Sequence, residues 1–466
     1  MIMDSAAAAR LLDQILERTV RVGVVGLGYV GLPLAVELAS AGFTTTGLDI
    51  DPIKVASVNE GCSHILDILA SDIARVRRLG TLEATGDFGV IAELDTISVC
   101  VPTPLRKTKN PDLSHVIGAT ERIAKHIHPG MLIVLESTVR PGTTKDIVLT
   151  ILESTGLRAG RDFFLAFSPE RVDPGNPFFN TRNTPKVVGG VTRDCSRLTS
   201  ALYGTVIESI VSVSSPRAAE LVKLLEDSYR AVNIALVNDL ALTCQLMDVD
   251  VWEVVNAAGT KPFGFMPFYP GPGMGGQGLP VDTGHLSRRL LGTDFEPHFI
   301  ELATHVNAAM PRSVVELIGD ALNSRAKAVR GSSILVAGLA YKRNVDDIRE
   351  SPALEVMTLL AAKGAKVAYS DPYVPTLAAS AWRGGYELGS VPLTPARMRE
   401  VDCVAILTDH TVFNAEEIVA HANVVVDARN ATGGFAPNVF RLGAPRPPEA
   451  APPAPIRQNE GAGSIH

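Results

Sequence analysis

The run from Tyr269 to Asp282 holds five glycines and three prolines among fourteen residues and ends on a carboxylate. Such a composition suits neither a helix nor the interior of a sheet. It predicts a shaped loop, in which glycines let backbone N–H groups come close to a ligand. A flexible linker is the alternative. Linkers, however, favour Ser and Gly and rarely carry flanking aromatics such as Phe263, Phe265, Phe268 and Tyr269.

A second glycine run carries a more specific chemistry. Gly26, Gly28 and Gly31, with Tyr29 and Val30 between them, follow the apolar stretch Arg21 to Val25 and open a helical pattern from Leu32 to Ala41. A second apolar stretch, Phe43 to Leu48, then ends at Asp49. This is the dinucleotide fingerprint in its strand–turn–helix setting. Gly26 makes the tight turn, Gly28 admits a pyrophosphate, and Gly31 lets helix and strand pack. The helix N-terminus supplies partial positive charge. Asp49, about twenty residues on, would hydrogen-bond a ribose diol and repel a 2′-phosphate, which favours NAD over NADP. Lys54 lies just beyond it. A glycine-rich turn in an unrelated α/β domain is the competing reading.

Other polar groups cluster where open α/β sheets place ligand contacts, at strand C-termini. The stretch Thr96 to Val101 ends in Pro102-Thr103-Pro104, Met131 to Leu135 ends in Glu136-Ser137-Thr138, and Phe164 to Phe167 ends in Ser168-Pro169-Glu170-Arg171. Each alone could be a cap or a turn. Three in succession after a nucleotide fingerprint favour an active-site wall. Lys223, Asp227 and Arg230 fall at i, i+4 and i+7 of a helical pattern, one face of a helix and also the spacing of a solvated ion pair. Lys342, Arg343, Arg349 and Arg429 could neutralise phosphates or be ordinary surface charges.

The elements that must position these groups alternate strand and helix to about residue 200. From Arg217 to Met247 the chain has no Gly or Pro and reads as one long helix, a spine between two domains. Residues 297–323 give another helix, interrupted at Pro311. A second α/β unit follows, with strands at 333–339, 366–370, 402–407 and 423–427 and a helix that starts at Pro352 behind Ser351. It lacks the glycine fingerprint, so no second dinucleotide is expected there. Residues 1–18 read as a short amphipathic helix and 444–466, Pro-rich, as a disordered tail.

Composition sets the bounds. A chain of 466 residues with 46% apolar and 20% charged residues describes a globular protein of two or three domains. A net charge of −7 gives no electrostatic case for nucleic acid. No apolar run reaches the about 18 residues that a membrane span needs. The five cysteines are scattered, with neither disulfide-framework nor metal-ligand spacing, so no metal is expected and a reducing cytoplasm fits.

These residues together resemble the UDP-glucose/GDP-mannose dehydrogenase family, nearest its UDP-N-acetylglucosamine/UDP-N-acetylmannosamine 6-dehydrogenase branch. The resemblance spans roughly residues 20–432. It rests on the stretches 26–33, 101–104, 168–175, 220–224, 261–276 and 346–352. It implies an α/β protein of two Rossmann-like doubly wound domains joined by a central long-helix domain. The expected boundaries are 1–200 for NAD, 201–312 for a central helical part that forms a homodimer, 313–440 for the nucleotide sugar, and 441–466 for the tail.

The family oxidises a sugar C6 alcohol to a carboxylate with two NAD. Carried over, Lys223 would stabilise an oxyanion or help move a proton, Asp282 would act as or orient the base, Thr138 and Glu170 would line the reacting centre, and Asp227 would complete the catalytic set. Gly26, Gly28, Tyr29, Val30, Gly31, Asp49, Lys54, Pro102, Thr103, Ser137 and Thr138 would hold NAD. The sugar nucleotide would meet Glu170, Arg171, Val172, Lys223, Phe268, Tyr269, Gly273, Gly276, Gln277, Gly278, Lys342, Arg349 and Arg429.

The sequence departs from that pattern where it matters most. Gly278 stands where the family carries its cysteine nucleophile, Gln277 where it has histidine or serine, and Asp227 where it has asparagine. Thr283, Gly284, His285 and His298 replace further branch residues. The family's second oxidation passes through a thioester on that cysteine, which glycine cannot form. A single two-electron oxidation is the leading expectation. A full oxidation through an aldehyde hydrate, with Asp282 activating water, and a silent sugar-nucleotide-binding homologue are the alternatives.

Overall fold

The structure is a computed structural model of the chain, and it describes residues 5–65, 68–104, 112–276 and 297–447. The chain divides into two compact units, one of residues 1–237, 273–309 and 340–352, the other of residues 238–272, 310–339 and 353–466.

The first unit carries an eight-stranded sheet in the order β3-β2-β1-β4-β5-β6-β7-β8. Its strands are β1 (Arg21–Val25), β2 (Thr44–Leu48), β3 (Leu82–Thr85), β4 (Thr96–Val99), β5 (Leu132–Leu135), β6 (Phe164–Phe167), β7 (Lys186–Gly190) and β8 (Ile210–Ser212). All neighbours are parallel except β6 and β7. The helices are α1 (Ala6–Leu16), α2 (Gly31–Ser40), α3 (Pro52–Asn59), α4 (Ala70–Arg78), α5 (Ser114–Ala124), α6 (Leu149–Glu153) and α7 (Arg193–Tyr203).

Burial explains the near-continuous apolar strands. Val22, Val24, Leu132, Val134 and Phe164 face one buried cluster with α1, α2 and α7, and Ile97, Val99, Ile133, Leu135, Leu165 and Phe167 face another. A parallel sheet covered on both faces needs apolar side chains on both. The strand order reverses between β1 and β4, which opens a crevice at the strand C-termini.

Helix α8 (Pro216–Leu246) begins in the first unit and ends in the second, which also holds α9 (Val251–Gly259). Helix α10 (His298–Asn323) contains Pro311 without interruption, against the break expected there. Proline removes the donor that the Asn307 carbonyl would otherwise take. That carbonyl lies where a Cβ on Gly273 would come within 3.2 Å of it.

The second unit has a parallel five-stranded sheet in the order β10-β9-β13-β14-β15. It comprises β9 (Ser333–Ala337), β10 (Lys366–Ser370), β13 (Cys403–Ile406), β14 (Val425–Asp427) and β15 (Val439–Arg441). β11 (Thr376–Leu377) and β12 (Leu388–Gly389) form a separate antiparallel ribbon, and α11 (Pro352–Ala362) follows β9. The two sheets repeat one device. Gly26 N–H bonds Leu48 O and Leu27 N–H bonds Asp49; Gly338 N–H bonds Ser370 O and Leu339 N–H bonds Asp371. Residues 441–444, which composition alone places in a tail, are packed here: Arg441, Leu442 and Ala444 are buried, and Arg441 pairs with Asp250 at 2.6 Å. Residues 448–466 lie outside the described residues.

Candidate active site

The fingerprint turn is set by its glycines. Gly26 has φ +96°, and a Cβ on Gly31 would overlap the Gly26 carbonyl oxygen. Gly28 faces open space. The Leu27 N–H donates to Asp49 Oδ2 at 2.8 Å, and the Asp51 N–H donates to Asp49 Oδ1 at 2.9 Å. Lys54 Nζ stands 3.6 Å from the same carboxylate. The His64 ring donates from Nε2 to the Leu27 carbonyl at 2.6 Å, so the turn is gripped from both sides. Gly26, Gly28, Asp49, Lys54 and His64 line a cleft of about 410 Å³ together with Tyr29, Val30, Pro102, Thr103, Ser137, Thr138, Glu170, Lys223 and Arg349. An uncrowded Gly28, a carboxylate at the β2 end and a cleft running across the crevice fit NAD.

The opposite wall comes from the next strand ends. Ser137 Oγ donates to Val101 O at 2.7 Å and Thr103 Oγ1 to Thr138 O at 3.0 Å, which ties the β4 and β5 ends together. Beyond β6, Glu170 Oε1 accepts the N–H groups of Arg171 at 2.8 Å and Val172 at 2.5 Å, fixing this carboxylate in the wall. Arg171 turns away to a two-pronged pair with Glu226 on α8, at 2.6 and 3.2 Å. Lys223, one turn along α8, meets Asp227 at 3.0 Å with both side chains mostly buried, 17% and 8% exposed. The i,i+4 spacing is therefore a sheltered pair and not a solvated one.

Behind the cleft lies a group of charges that spacing could not reveal. Glu136, at the β5 end, bonds Lys186 of β7 at 2.7 Å and accepts a hydrogen bond from Tyr203 of α7. Tyr203 also meets Ser98 Oγ at 3.0 Å. Burial pushes the Glu136 carboxyl above its usual range despite Lys186. Burial opposes the Lys186 ammonium too, but the Glu136 and Glu170 carboxylates more than offset it and raise its pKa. Cys100, at the β4 end, is pushed well up by burial and then by Glu136. Glu136, Cys100 and His64 were missed as cleft residues, although Glu136 sits in a strand-end tripeptide that sequence alone had marked.

The segment 340–352 packs within the first unit. The Tyr29 hydroxyl donates to Asp346 at 2.7 Å, and the Arg349 guanidinium lies 5.4 Å from the Tyr29 ring centre while gripping Asp347 at 2.6 and 2.8 Å. Burial first, then Asp346, raises the Tyr29 phenol. Lys342 pairs with Asp173 at 2.5 Å. The glycine-rich loop reaches this segment: the Gly276 N–H donates to Arg349 O at 3.0 Å, and a Cβ on Gly275 would come within 2.7 Å of Tyr341 Cβ.

In the second unit, Tyr269 stacks on Trp252 with ring centres 5.8 Å apart, Phe268 is half-buried, and Gly271 N–H bonds Asn238 at 2.9 Å. The Arg429 guanidinium sits within 2.8 Å of where a Gly271 Cβ would be. Gln277, Gly278 and Asp282 lie outside the described residues. No group of three metal-ligating side chains and no helix long and apolar enough to cross a membrane occurs among the described residues.

Fold and cleft define a dinucleotide-binding α/β protein. Residues 20–207 match the model of the UDP-glucose/GDP-mannose dehydrogenase family, NAD binding domain, residues 217–309 its central domain, and residues 335–434 its UDP binding domain. The UDP-N-acetyl-D-glucosamine 6-dehydrogenase of Pseudomonas aeruginosa is 33% identical over 398 residues, 85% of this chain and 92% of its own length. The UDP-N-acetyl-D-mannosamine dehydrogenase of Pyrococcus horikoshii is 34% identical over 417 residues, 88% of this chain and 95% of its own. A solved structure of the UDP-D-ManNAc dehydrogenase from Pyrococcus horikoshii superposes with a TM-score of 0.82 at 33% identity, covering 91% of this chain and 99% of that one. The chain belongs to the UDP-glucose/GDP-mannose dehydrogenase family, and it is an NAD-dependent nucleotide-sugar dehydrogenase, an oxidoreductase.

Proposed function

We propose that the chain oxidises a UDP-linked hexose or N-acetylhexosamine at C6 in a single two-electron step, releasing the aldehyde. The observation that carries this reading is the pairing of an intact hydride-transfer wall with a missing thiol. Thr138, Glu170 and Lys223 line one cleft with the fingerprint, whereas Gly278 stands at the family's cysteine position. NAD bound in the cleft supplies the hydride acceptor. The Lys223 ammonium, 3.0 Å from Asp227, stabilises the alkoxide that forms as the C6 hydroxyl loses its proton. Asp282 takes that proton, Glu170 and Thr138 orient the sugar, and Lys342, Arg349 and Arg429 supply positive charge to phosphates. Overall, one alcohol and one NAD⁺ give one aldehyde, one NADH and one proton. The UDP-N-acetylhexosamine dehydrogenases of Pseudomonas aeruginosa and Pyrococcus horikoshii to which the chain is similar support the substrate class.

Among the described residues Cys100 is the only cysteine lining this cleft, and we read it as no replacement for the absent nucleophile. Its raised pKa keeps it a thiol, and it packs behind the fingerprint turn, with its Cβ 3.2 Å from where a Gly31 Cβ would sit. NADH yield per mole of UDP-sugar, with product mass read in the same tube, tests the proposal. One NADH and an aldehyde are expected. Two NADH and a carboxylate would replace it with oxidation through the aldehyde hydrate, and no NADH from UDP-, GDP- or dTDP-sugars would mark a silent homologue.

We also propose a homodimer formed through the central helical part, with residues 1–200 and 313–440 serving NAD and nucleotide sugar. The support is an apolar stripe on α8, where Leu221, Leu225, Tyr229 and Leu236 are 42%, 69%, 49% and 63% exposed. The five unpaired cysteines support a reducing, cytoplasmic setting.

A further inference from the structure

A small cavity of about 10 Å³ lies beside the cleft wall, lined by Glu170, Arg171, Val172, Thr184, Pro185 and Lys186 among others. That is about the least volume that admits one water molecule, which also needs two to four polar partners. The partners are present. Thr184 Oγ1 is buried and finds no hydrogen-bond partner among the described residues. Such an orphaned hydroxyl costs about 1–3 kcal/mol unless something satisfies it. Lys186 gives one of its three donors to Glu136, at 2.7 Å. Glu170 has its Oε1 occupied by two backbone N–H groups, which leaves acceptor capacity on the carboxylate. Arg171 is committed elsewhere, to Glu226 and to Pro185 O.

We propose that this cavity holds one water molecule, bonded by Thr184 Oγ1, that joins the Lys186 ammonium to the Glu170 carboxylate, and that Lys186 is thereby a positioning residue for Glu170. The buried Glu136–Lys186 pair gains a reason from this. A buried ion pair is weak evidence for stability, since apolar replacements of similar volume are often as stable. Here the pair places a fixed positive charge behind a wall carboxylate, with Tyr203 holding the far side of Glu136. The role assigned to Lys186 rests on the reading of Glu170 as a substrate-facing group. The water site itself does not.

A high-resolution crystal structure decides the water. Ordered density within hydrogen-bond reach of Thr184 Oγ1, Lys186 and Glu170 is expected, and a dry cavity overturns the proposal whatever the enzyme oxidises. Thr184→Val keeps the shape and removes the hydroxyl. It should lower kcat about three- to tenfold, the worth of one hydrogen bond, with KM for NAD unchanged and the water lost. Thr184→Ser should restore both. Lys186→Met should lower kcat further if the variant folds. An unchanged kcat in Thr184→Val, with the water gone, sinks the positioning role. A protein that forms no NADH from any sugar nucleotide sinks the proposed reaction and leaves the crystallographic outcome to judge the water.

Discussion

Asp49 shows how one side chain can hold a turn and still face a cleft. Its carboxylate holds the Leu27 and Asp51 N–H groups and faces the cleft beside Lys54. Asp49→Asn should raise KM for NAD about tenfold, the lower end of what a charge-assisted hydrogen bond contributes, with kcat changed less than about twofold. NADH formation at saturating sugar nucleotide checks it, and an unchanged KM would remove Asp49 from the site. In the proposed reaction Lys223 acts later. Lys223→Ala should lower kcat about a hundredfold or more while NAD affinity, read by fluorescence titration, stays put. Asp49 was legible from the sequence because its distance from the glycines is set by one strand–helix–strand crossover. Glu136 and Lys186 were not: they lie fifty positions apart and meet only because β5, β6 and β7 are neighbours.

At the scale of elements, the wall between β5 and α6 hangs on Glu220 of α8. This buried carboxylate takes the N–H of Gly142 at 2.5 Å, the N–H of Thr144 at 2.8 Å and the Thr144 hydroxyl at 2.6 Å. Burial raises its pKa, and the hydrogen bonds from Thr144 and Gly142 pull the other way. Glu220→Ala strands those donors and should cost about 2–3 kcal/mol in urea unfolding. A loss under about 0.5 kcal/mol would mean the segment finds other partners. The sequence presented Glu220 only as one more polar position on a long helix, because its two partner residues lie 78 and 76 positions upstream. The stripe on the same helix belongs here too. Leu225→Glu places a charge in it and should convert the proposed dimer to monomer in analytical ultracentrifugation.

For the whole molecule, NAD should stabilise the folded chain by about 2.7 kcal/mol at a hundred times its Kd, read as a rise in thermal midpoint. Of the five cysteines only Cys62 is exposed, so a thiol reagent should label that site alone in the native protein. Labelling of Cys100 would show that the cleft opens to its back wall. The sequence by itself determined the alternation of strand and helix, the fingerprint with Asp49, the long helix and the family, since periodicity, glycine spacing and strand-end polarity are local properties of the chain. It misjudged Pro311: the helix runs through it, and the Asn307 carbonyl left without that donor lies against Gly273. Only the tertiary structure decided that Lys223 and Asp227 are sheltered, that Arg349 and Lys342 pack with the fingerprint unit, and that Lys186 stands behind Glu170. Burial and charge environment come from residues distant in sequence, and a parallel sheet brings them together through crossovers that no local pattern encodes. The glycine at position 278, on which the proposed single oxidation rests, is visible in the sequence alone.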